Sequence, residues 1–396
     1  MENSAKPLSG LKVVEFTHMV MGPAAGLVLA DLGADVVKVE PVAGDKTRRL
    51  KGSGAGYFAM YNRNKKSLAI DLKSEEGAAI AKALISESDV FIENFRPGAL
   101  EKLGFGYEAL SKLNPRLIYC SEKGFLPGPY ENRTALDEVA QMMGGLAYMT
   151  GPPGRPLRAG ASVIDVTGGM FGAIAVLAAL EARHQTGKGQ QVSASLFETT
   201  AFLVGQHMAQ FAVTGHAAAP MPTRISAWAV YDVFDVKDDE KVFVGVVSDG
   251  QWQTFCKAFD LQDWAADTTL ADNNDRVARR EEIIPRLRDV FASYSQADLM
   301  AKLEKTGLPF APITRPEDLF DDPHLNAQGG LLEMNLPDGG NVKLPSMPIT
   351  MDGVRCGLSL NPPKIGEHSQ DILKGLGYTS KQIDALVDGK LINTPA

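Results

Sequence analysis

Residues 11–40, LKVVEFTHMVMGPAAGLVLADLGADVVKVE, decide the fold class of this 396-residue chain. The β-branched apolar run at 11–17 is typical of a buried strand, residues 22–34 have helical spacing, and residues 35–40 form a second apolar run. Strand, helix and strand within about 30 residues make a βαβ unit, which builds parallel sheets. The stretch therefore predicts an α/β protein.

The same alternation continues along the chain and predicts an open Rossmann-like sheet. Further strands and helices are predicted at 66–72, 74–88, 89–95, 106–113 and 116–124, with Ser74 as the cap of the helix at 74–88. Residues 17–26, THMVMGPAAG, do not follow the G-x-G-x-x-G pattern of dinucleotide-binding turns. We therefore expect no nicotinamide or flavin cofactor.

A change in texture near residue 215 predicts a second domain. The stretch around 215–225 is rich in alanine and proline and is typical of a linker. Residues 226–325 are predicted to form a small α+β domain. Residues 1–215 form the first part of a large Rossmann-like domain, to which residues 326–396 are expected to return. The predicted strands of this tail lie at 330–336, 342–351 and 359–392.

Composition excludes several classes of function. The 48 acidic and 40 basic residues give a net charge of −8, and scattered basic residues argue against a nucleic-acid partner. Cys120, Cys256 and Cys356 lie far apart, which fits free thiols in a reducing compartment, and no metal site is expected. The N-terminus lacks an apolar signal core. The most apolar window, 170–182, is shorter than the roughly 20 residues that span a bilayer. We expect a cytoplasmic protein with no membrane partner.

Polar side chains gather at the ends of the predicted strands. Because the carboxyl ends of parallel strands meet at one edge of a sheet, these residues are candidates for one ligand site. Each candidate also has a purely structural explanation. The histidine could be a loop residue whose ring bonds only backbone groups, the residues around the end of the strand at 89–95 could serve a turn, and the lysines could simply be solvated. The candidates are His18, Lys66, Lys73, Asn94, Phe95, Arg96 and Lys102.

Asp165 lies within residues 159–174, AGASVIDVTGGMFGAI, ahead of a predicted small-residue helix at 168–183. It is a plausible helix cap. A helix N-terminus is expected to lower the pKa of its carboxyl and keep it ionised, and the adjacent glycines leave room for a bulky thioester. A carboxylate held in this way can act as a nucleophile. No G-x-S-x-G elbow supports a serine hydrolase instead.

Several blocks in order resemble the family III CoA-transferases, which include formyl-CoA transferase, carnitine CoA-transferase and the α-methylacyl-CoA racemases. The resemblance covers nearly the whole chain. The blocks include residues 8–48, NRNKKSLAIDLKSEEG at 62–77, DVFIENFRPGALEKLGFGYEAL at 89–110, LDEVAQMMGGL at 136–146, IDVTGGMFGAIAVLAAL at 164–180 and PPKIGEHSQDIL at 362–373.

The resemblance implies a Rossmann-like large domain, a small α+β domain and an interlocked homodimer. It implies that Asp165 is the nucleophile, which attacks an acyl-CoA and then carries CoA to a carboxylic acid. It implies no tightly bound cofactor, since the coenzyme A thioester is a substrate. The CoA contacts that it implies are His18, Met19, Val20, Met21, Ile70, Lys73, Asn94, Phe95 and Lys102.

Three points remain open in this resemblance. The racemases have a histidine where this chain has Leu136, so a racemase or epimerase becomes the weaker alternative, followed by a non-catalytic CoA-binding protein. The role of Asp137 is undefined, and GVVSDGQW at 245–252 replaces the glycine run of formyl-CoA transferases. The acid substrate, which relatives often take as a dicarboxylate, has candidate partners in Arg48, Arg49, Arg155 and Arg158.

Overall fold

The structure, a computed structural model, describes residues 6–224 and 226–395. Its strands are β1 (Lys12–Phe16), β2 (Asp35–Glu40), β3 (Lys65–Ile70), β4 (Val90–Glu93), β5 (Ile118–Lys123), β6 (Gln191–Ser195), β7 (Val230–Asp235), β8 (Lys241–Val246), β9 (Phe310–Pro312), β10 (Leu331–Asn335), β11 (Asn341–Pro345), β12 (Thr350–Met351), β13 (Val354–Arg355) and β14 (Ile392–Asn393). Its helices are α1 (Met21–Asp31), α2 (Tyr57–Tyr61), α3 (Glu75–Ser86), α4 (Ala99–Lys102), α5 (Tyr107–Leu113), α6 (Asp137–Met143), α7 (Leu146–Thr150), α8 (Val163–Thr186), α9 (Leu196–Leu203), α10 (Gly205–Thr214), α11 (Asp249–Ala258), α12 (Gln262–Ala266), α13 (Asn273–Ala278), α14 (Arg280–Phe291), α15 (Gln296–Glu304), α16 (Pro323–Asn326), α17 (Ser369–Gly375) and α18 (Ser380–Asp388).

A seven-stranded sheet with the order β14-β3-β2-β1-β4-β5-β6 forms the centre of the chain. Strands β1 to β6 pair in parallel, and only the edge strand β14 runs antiparallel, against β3. The prediction of an α/β fold with a parallel sheet is confirmed. The predicted cap is also present, since Ser74 Oγ accepts the Gly77 N–H at 3.0 Å.

The strand order changes direction at β1, and this places a crevice at the sheet edge. From β1 the chain proceeds through β2 to β3 on one side, whereas β4 and β5 lie on the other side. In open α/β sheets, ligands bind outside the carboxyl ends of strands at such a switch point. The loops after β1 and β4 therefore occupy the expected binding position.

Helices α1 and α8 pack closely because α8 has glycine where it meets α1. A Cβ on Gly168 would lie 2.9 Å from the Met21 side chain, and one on Gly169 would lie 2.5 Å from the Met21 carbonyl oxygen. Both contacts involve the first residue of α1 and the first turns of α8. The close packing therefore brings the N-termini of the two helices together.

Helix α8 is longer than the sequence predicted. It has 24 residues, from Val163 to Thr186, and mean hydropathy 2.0 over its most apolar window, so by length and composition alone it could cross a membrane. That window is 44% buried within the protein, and α8 packs on the sheet, where Cys120 of β5 contacts Gly172. The expectation that the most apolar segment is too short to span a bilayer was wrong, because the helix that contains it has the required length. A buried core helix can meet the same criterion of length and hydropathy.

The chain divides into two compact units, Met1–Pro222 with Pro323–Ala396, and Thr223–Asp322. The second unit has its own three-stranded sheet, β7-β8-β9, and its own core around Trp252, Phe255 and Phe291. In the tail, the strand predicted over 359–392 is wrong, because the two helices α17 and α18 lie within it. These helices bury Leu373 and Ile383 against the large sheet.

Candidate active site

The loop after β1 is fastened to the loop after β4 by a reciprocal pair of hydrogen bonds. The His18 N–H donates to Asn94 Oδ1 at 3.1 Å, and Asn94 Nδ2 donates to the His18 carbonyl at 2.8 Å. The rings of His18 and Phe95 meet edge to face, with centroids 5.4 Å apart. The structure thus brings together three of the predicted CoA contacts.

The backbone at Met19 adopts the left-handed conformation, with φ of 63°, which is uncommon for a residue other than glycine. Its N–H donates to Thr47 Oγ1 at 3.0 Å, so a residue of the segment that follows β2 stabilises the turn. Val20 and Met21 come next, buried at the start of α1. A strained turn that is held from outside is typical of functional loops.

A buried lysine anchors the same loop from beneath. Lys38 Nζ donates to the Thr17 carbonyl at 2.7 Å and lies 3.0 Å from Asp45 Oδ2. Although one face of His18 is open to solvent, partial burial lowers the pKa of its imidazole, with Asp45 raising and Lys38 lowering it. The imidazole is therefore neutral at neutral pH.

The other predicted contacts lie at different depths along this edge. Ile70 ends β3 with its side chain in the core, whereas Lys73 and Lys102 are exposed on the segments that follow β3 and β4. Lys66 does not belong to the group. It lies at the amino end of β3, where its ammonium pairs with Asp35 at 2.8 Å, so its candidate role at the carboxyl edge was wrong.

Asp165 is the third residue of α8 and does not cap it. Ser162 takes the position before the first helical residue, and a carboxylate from another helix receives the free amides. Asp137 Oδ2 accepts the N–H groups of Ile164 at 2.9 Å and Asp165 at 3.1 Å. The predicted capping role of Asp165 was therefore wrong, and Asp137 fills that role from the start of α6.

Both oxygens of Asp137 are occupied. Its Oδ1 accepts from Gln141 Nε2 at 2.6 Å and lies 3.3 Å from Arg158 Nη2. Gln141 is buried, and its Oε1 also accepts the Ala159 N–H at 2.8 Å. Asp137 and Gln141 together tie α6, the segment before α8 and the first turn of α8 into one unit. This arrangement answers the question that the sequence left open about Asp137.

The Asp165 carboxyl itself is half-buried, and no donor within residues 6–224 and 226–395 bonds to it. Burial raises its pKa to about 7; the Asp137 charge adds to the increase and Arg158 opposes it. The expectation that the helix N-terminus would lower this pKa was wrong, because Asp137 takes the amides that would have stabilised the charge. Near pH 7 the group can ionise and retains the basicity of a good nucleophile.

Two tyrosines of α2 complete the surroundings of Asp165, and the sequence reasoning missed them. The Tyr57 hydroxyl lies 3.4 Å from Ser162 Oγ. Burial raises the pKa of Tyr61, and the charge of Asp165 raises it further. Their spacing of four residues puts both rings on one face of α2, a signal that was present in the sequence.

The model of CoA-transferase family III matches residues 8–369. The chain belongs to this family. It is 34% identical to the succinyl-CoA:glutarate CoA-transferase of Mus musculus over 393 aligned residues. The alignment covers 97% of this chain and 90% of the relative. The succinate–glutarate CoA-transferase of Agrobacterium fabrum is 33% identical over 95% of this chain and 97% of its own length.

Solved structures agree with this assignment. A CAIB/BAIF family protein from Brucella suis superposes with a TM-score of 0.83 at 35% identity, over 94% of this chain and all of that chain. A hypothetical protein from Mycobacterium tuberculosis gives 0.80 at 29% identity, over 93% and 99% of the two chains. The family III enzyme transfers CoA from an acyl-CoA to a carboxylic acid, as the sequence predicted.

Proposed function

We propose that CoA transfer proceeds through a covalent intermediate on Asp165. The observation that carries the proposal is a carboxyl group to which no donor among the described residues bonds, at the end of α8 that meets α1 at the switch point of the sheet. Its pKa of about 7 makes it both ionisable and basic at neutral pH. Asp137, which has its oxygens occupied, is the scaffold that holds this carboxyl in place.

The steps balance without any further reactant. The Asp165 carboxylate attacks the thioester carbon, the C–S bond breaks, and the CoA thiolate leaves behind a mixed anhydride. The thiolate then attacks the aspartyl carbonyl, which releases the donor acid and leaves Asp165 as a CoA thioester. The acceptor carboxylate attacks that thioester, which breaks the C–S bond, expels the CoA thiolate and forms a second mixed anhydride. The thiolate then attacks the acceptor acyl carbon of this anhydride, which gives the new acyl-CoA and regenerates the Asp165 carboxylate.

The CoA moiety is proposed to lie along the carboxyl edge of the sheet. The fastened loops after β1 and β4 support contacts from His18, Met19, Val20, Met21, Asn94 and Phe95. Lys73 and Lys102, both exposed, are proposed partners for its phosphates. Because Ile70 is buried, only its backbone is proposed to take part.

Trapping of the intermediate tests the proposal. The protein is incubated with an acyl-CoA and then with hydroxylamine or borohydride, and peptides are analysed by mass spectrometry. We expect the hydroxamate or alcohol on the peptide that contains Asp165 and an unmodified peptide in Asp165→Asn. An enzyme that turns over substrate with Asp165 never modified would contradict the covalent route.

An interlocked homodimer is part of the proposed function. The exposed face formed by α8, α9 and α10 is apolar, and every described residue of α10 is at least partly exposed. The exposed apolar side chains are Met170, Ile174, Phe202, Met208, Phe211 and Val213. A patch of this kind marks an interaction site, and a second copy of the chain is the partner that we propose.

Light scattering coupled to size-exclusion chromatography tests the dimer. We expect twice the mass of one chain, and a smaller assembly for Phe211→Glu. A monomer at assay concentrations would contradict the dimer.

The division at residues 215–226 and 325 is proposed to separate large and small domains, which the two compact units support. A cytoplasmic location also stays a proposal, supported by three buried free cysteines.

A further inference from the structure

Four arginines are candidates for binding a charged group on the acid substrate, and the structure separates them. Arg48 donates from Nε and Nη2 to Glu40 and from Nη1 to the Pro363 carbonyl, and its guanidinium lies 3.7 Å from the centroid of the Phe58 ring. Its donors and one of its faces are in use. Arg48 therefore has a structural role in the segment after β2.

Neither Arg49 nor Arg155 makes a contact with Asp165 in the described part of the chain. Arg49 is exposed, bonds the Ala43 carbonyl and lines a pocket with Phe58 and Ala59. That pocket uses α2 residues other than the two tyrosines that lie near Asp165. Arg155 is exposed and ends the turn at 152–155, in which its backbone N–H donates to the Pro152 carbonyl.

Arg158 differs from the other three because backbone carbonyls fix the position of its guanidinium while one of its nitrogens stays accessible. Its Nε donates to the Ala159 carbonyl at 3.1 Å and its Nη2 to the Ala161 carbonyl at 3.1 Å. The same Nη2 lies 3.3 Å from Asp137 Oδ1. Nη1 has only Glu138 nearby, at 3.9 Å, and makes no hydrogen bond within the described chain. The side chain is 34% exposed.

The Asp137 carboxylate connects Arg158 to the nucleophile. One of its oxygens accepts the Asp165 amide, and the other faces the Arg158 guanidinium. Arg158 and the Asp165 backbone thus contact opposite oxygens of one carboxylate, and the arginine charge acts on the Asp165 carboxyl. An N–H group of Nη1 can donate to an incoming carboxylate, and a hydrogen bond between two charged groups is stronger than one between neutral groups.

Building on the proposed aspartyl mechanism, we propose that Arg158 Nη1 binds the second carboxylate of a short dicarboxylic acid while the first carboxylate reacts at Asp165. Succinate and glutarate are the acids that we propose, because enzymes named for these two acids are 33–34% identical to this chain. Arg158 is then the residue that selects dicarboxylates over monocarboxylates. Its fixed backbone contacts keep the guanidinium oriented before the substrate arrives.

Matched acids test this assignment. CoA transfer to glutarate is compared with transfer to pentanoate, which has the same chain length and lacks the second carboxylate. We expect Arg158→Gln to lower kcat/KM for glutarate on the order of 100-fold, mainly through KM, with pentanoate changed by less than about 3-fold. Arg158→Lys keeps the charge and should recover part of the glutarate preference.

Arg155→Gln is the matched control, since it removes a neighbouring exposed arginine from the same segment. Its glutarate-to-pentanoate ratio should equal that of the unmodified enzyme. An equal loss for both acids in Arg158→Gln would show a merely structural role, and a changed ratio in Arg155→Gln would move the site to that residue; either result overturns the assignment. Trapping of Asp165 from butyryl-CoA in Arg158→Gln tests the covalent mechanism separately.

Discussion

Asp137 and Asp165 stand at the starts of two helices that touch, yet the protein treats the two carboxyl groups in opposite ways. Asp137 is buried and faces four donors: two amides of α8, one side-chain amide and a guanidinium. Asp165 is half-buried, and no donor in the described chain bonds its carboxyl. A carboxylate that is fully satisfied builds structure, whereas one left without partners is available for chemistry.

Loss of the nucleophile should have the largest effect. We expect Asp165→Ala to lower kcat by at least about 10⁴-fold, because no neighbouring group can form the acyl intermediate in its place. The measurement is CoA exchange between a labelled acid and its thioester. Far-UV circular dichroism should be unchanged, and a variant that keeps a tenth of the activity would remove Asp165 from the chemistry.

Loss of the scaffold should appear mainly in stability. We expect Asp137→Ala to lower the free energy of unfolding by about 3 kcal/mol, because it leaves the Ile164 and Asp165 amides and the Gln141 side chain without an acceptor. Denaturant unfolding measures the loss. Glu138→Ala removes an exposed acid from the same turn and should change stability by less than about 0.5 kcal/mol. Equal effects of the two substitutions would contradict the difference between the sites.

The nucleophile should itself destabilise the fold above neutral pH. Its pKa is about 7 in the native state, against about 3.9 in an unfolded chain. Between about pH 4 and pH 7 the unfolded chain ionises at this position while the native state keeps the proton. The free energy of unfolding therefore falls as the pH rises through this range, and the loss is complete above pH 7. Asp165→Asn should raise the free energy of unfolding at pH 8 by about 1–2 kcal/mol, reduced for partial exposure, with no gain at pH 4. A gain of the same size at both values would exclude this titration as its cause.

A third acid, Glu122, extends the comparison to a carboxyl that has neither role. It is buried against Gly172, and within the described chain neither oxygen has a hydrogen-bond partner. Burial raises its pKa well above the usual value, and the charges of Glu15 and Glu93 add to the increase. Glu122→Met should raise the free energy of unfolding by about 1 kcal/mol, since it removes an unpaired polar group at similar volume.

The control for this smallest effect is Glu93→Met at the same sheet edge. Glu93 accepts from Ser121, Lys123 and the Phe95 amide, so its loss should destabilise the protein. Thermal unfolding at pH 7 compares the two variants. Stabilisation by both, or by neither, would show that the hydrogen-bond partners do not decide the outcome.

Local sequence pattern was sufficient for the strands and helices of the sheet, because burial on both faces leaves long apolar runs between turn signals. It also placed His18 and Asn94 at one edge, since parallel strands end together. It failed for α17 and α18, where the chain was predicted as a strand although the helices bury Leu373 and Ile383 with helical spacing. The apolar residues of this segment were recognised, but their spacing along the chain was assigned to a strand and not to a helix.

The details of the site could not be obtained in the same way. Asp137 meets the amides of residues 27 and 28 positions later in the chain, and only the packing of α6 against α8 creates that contact. The pKa of Asp165 was mispredicted because the sequence shows neither the burial of this carboxyl nor the nearby charge of Asp137, which together raise it. Neighbours brought together by tertiary packing decide the electrostatics of such a group.

The antiparallel edge strand β14 has a consequence for how the chain folds during synthesis. Residues 392–393 close the sheet beside β3, so that edge of β3 stays unpaired until these two residues leave the ribosome. The unit that ends at Asp322 is complete about 70 residues earlier. The unit at 223–322 can thus fold before β14 has been synthesised, and an open strand edge exists on the nascent chain for that interval.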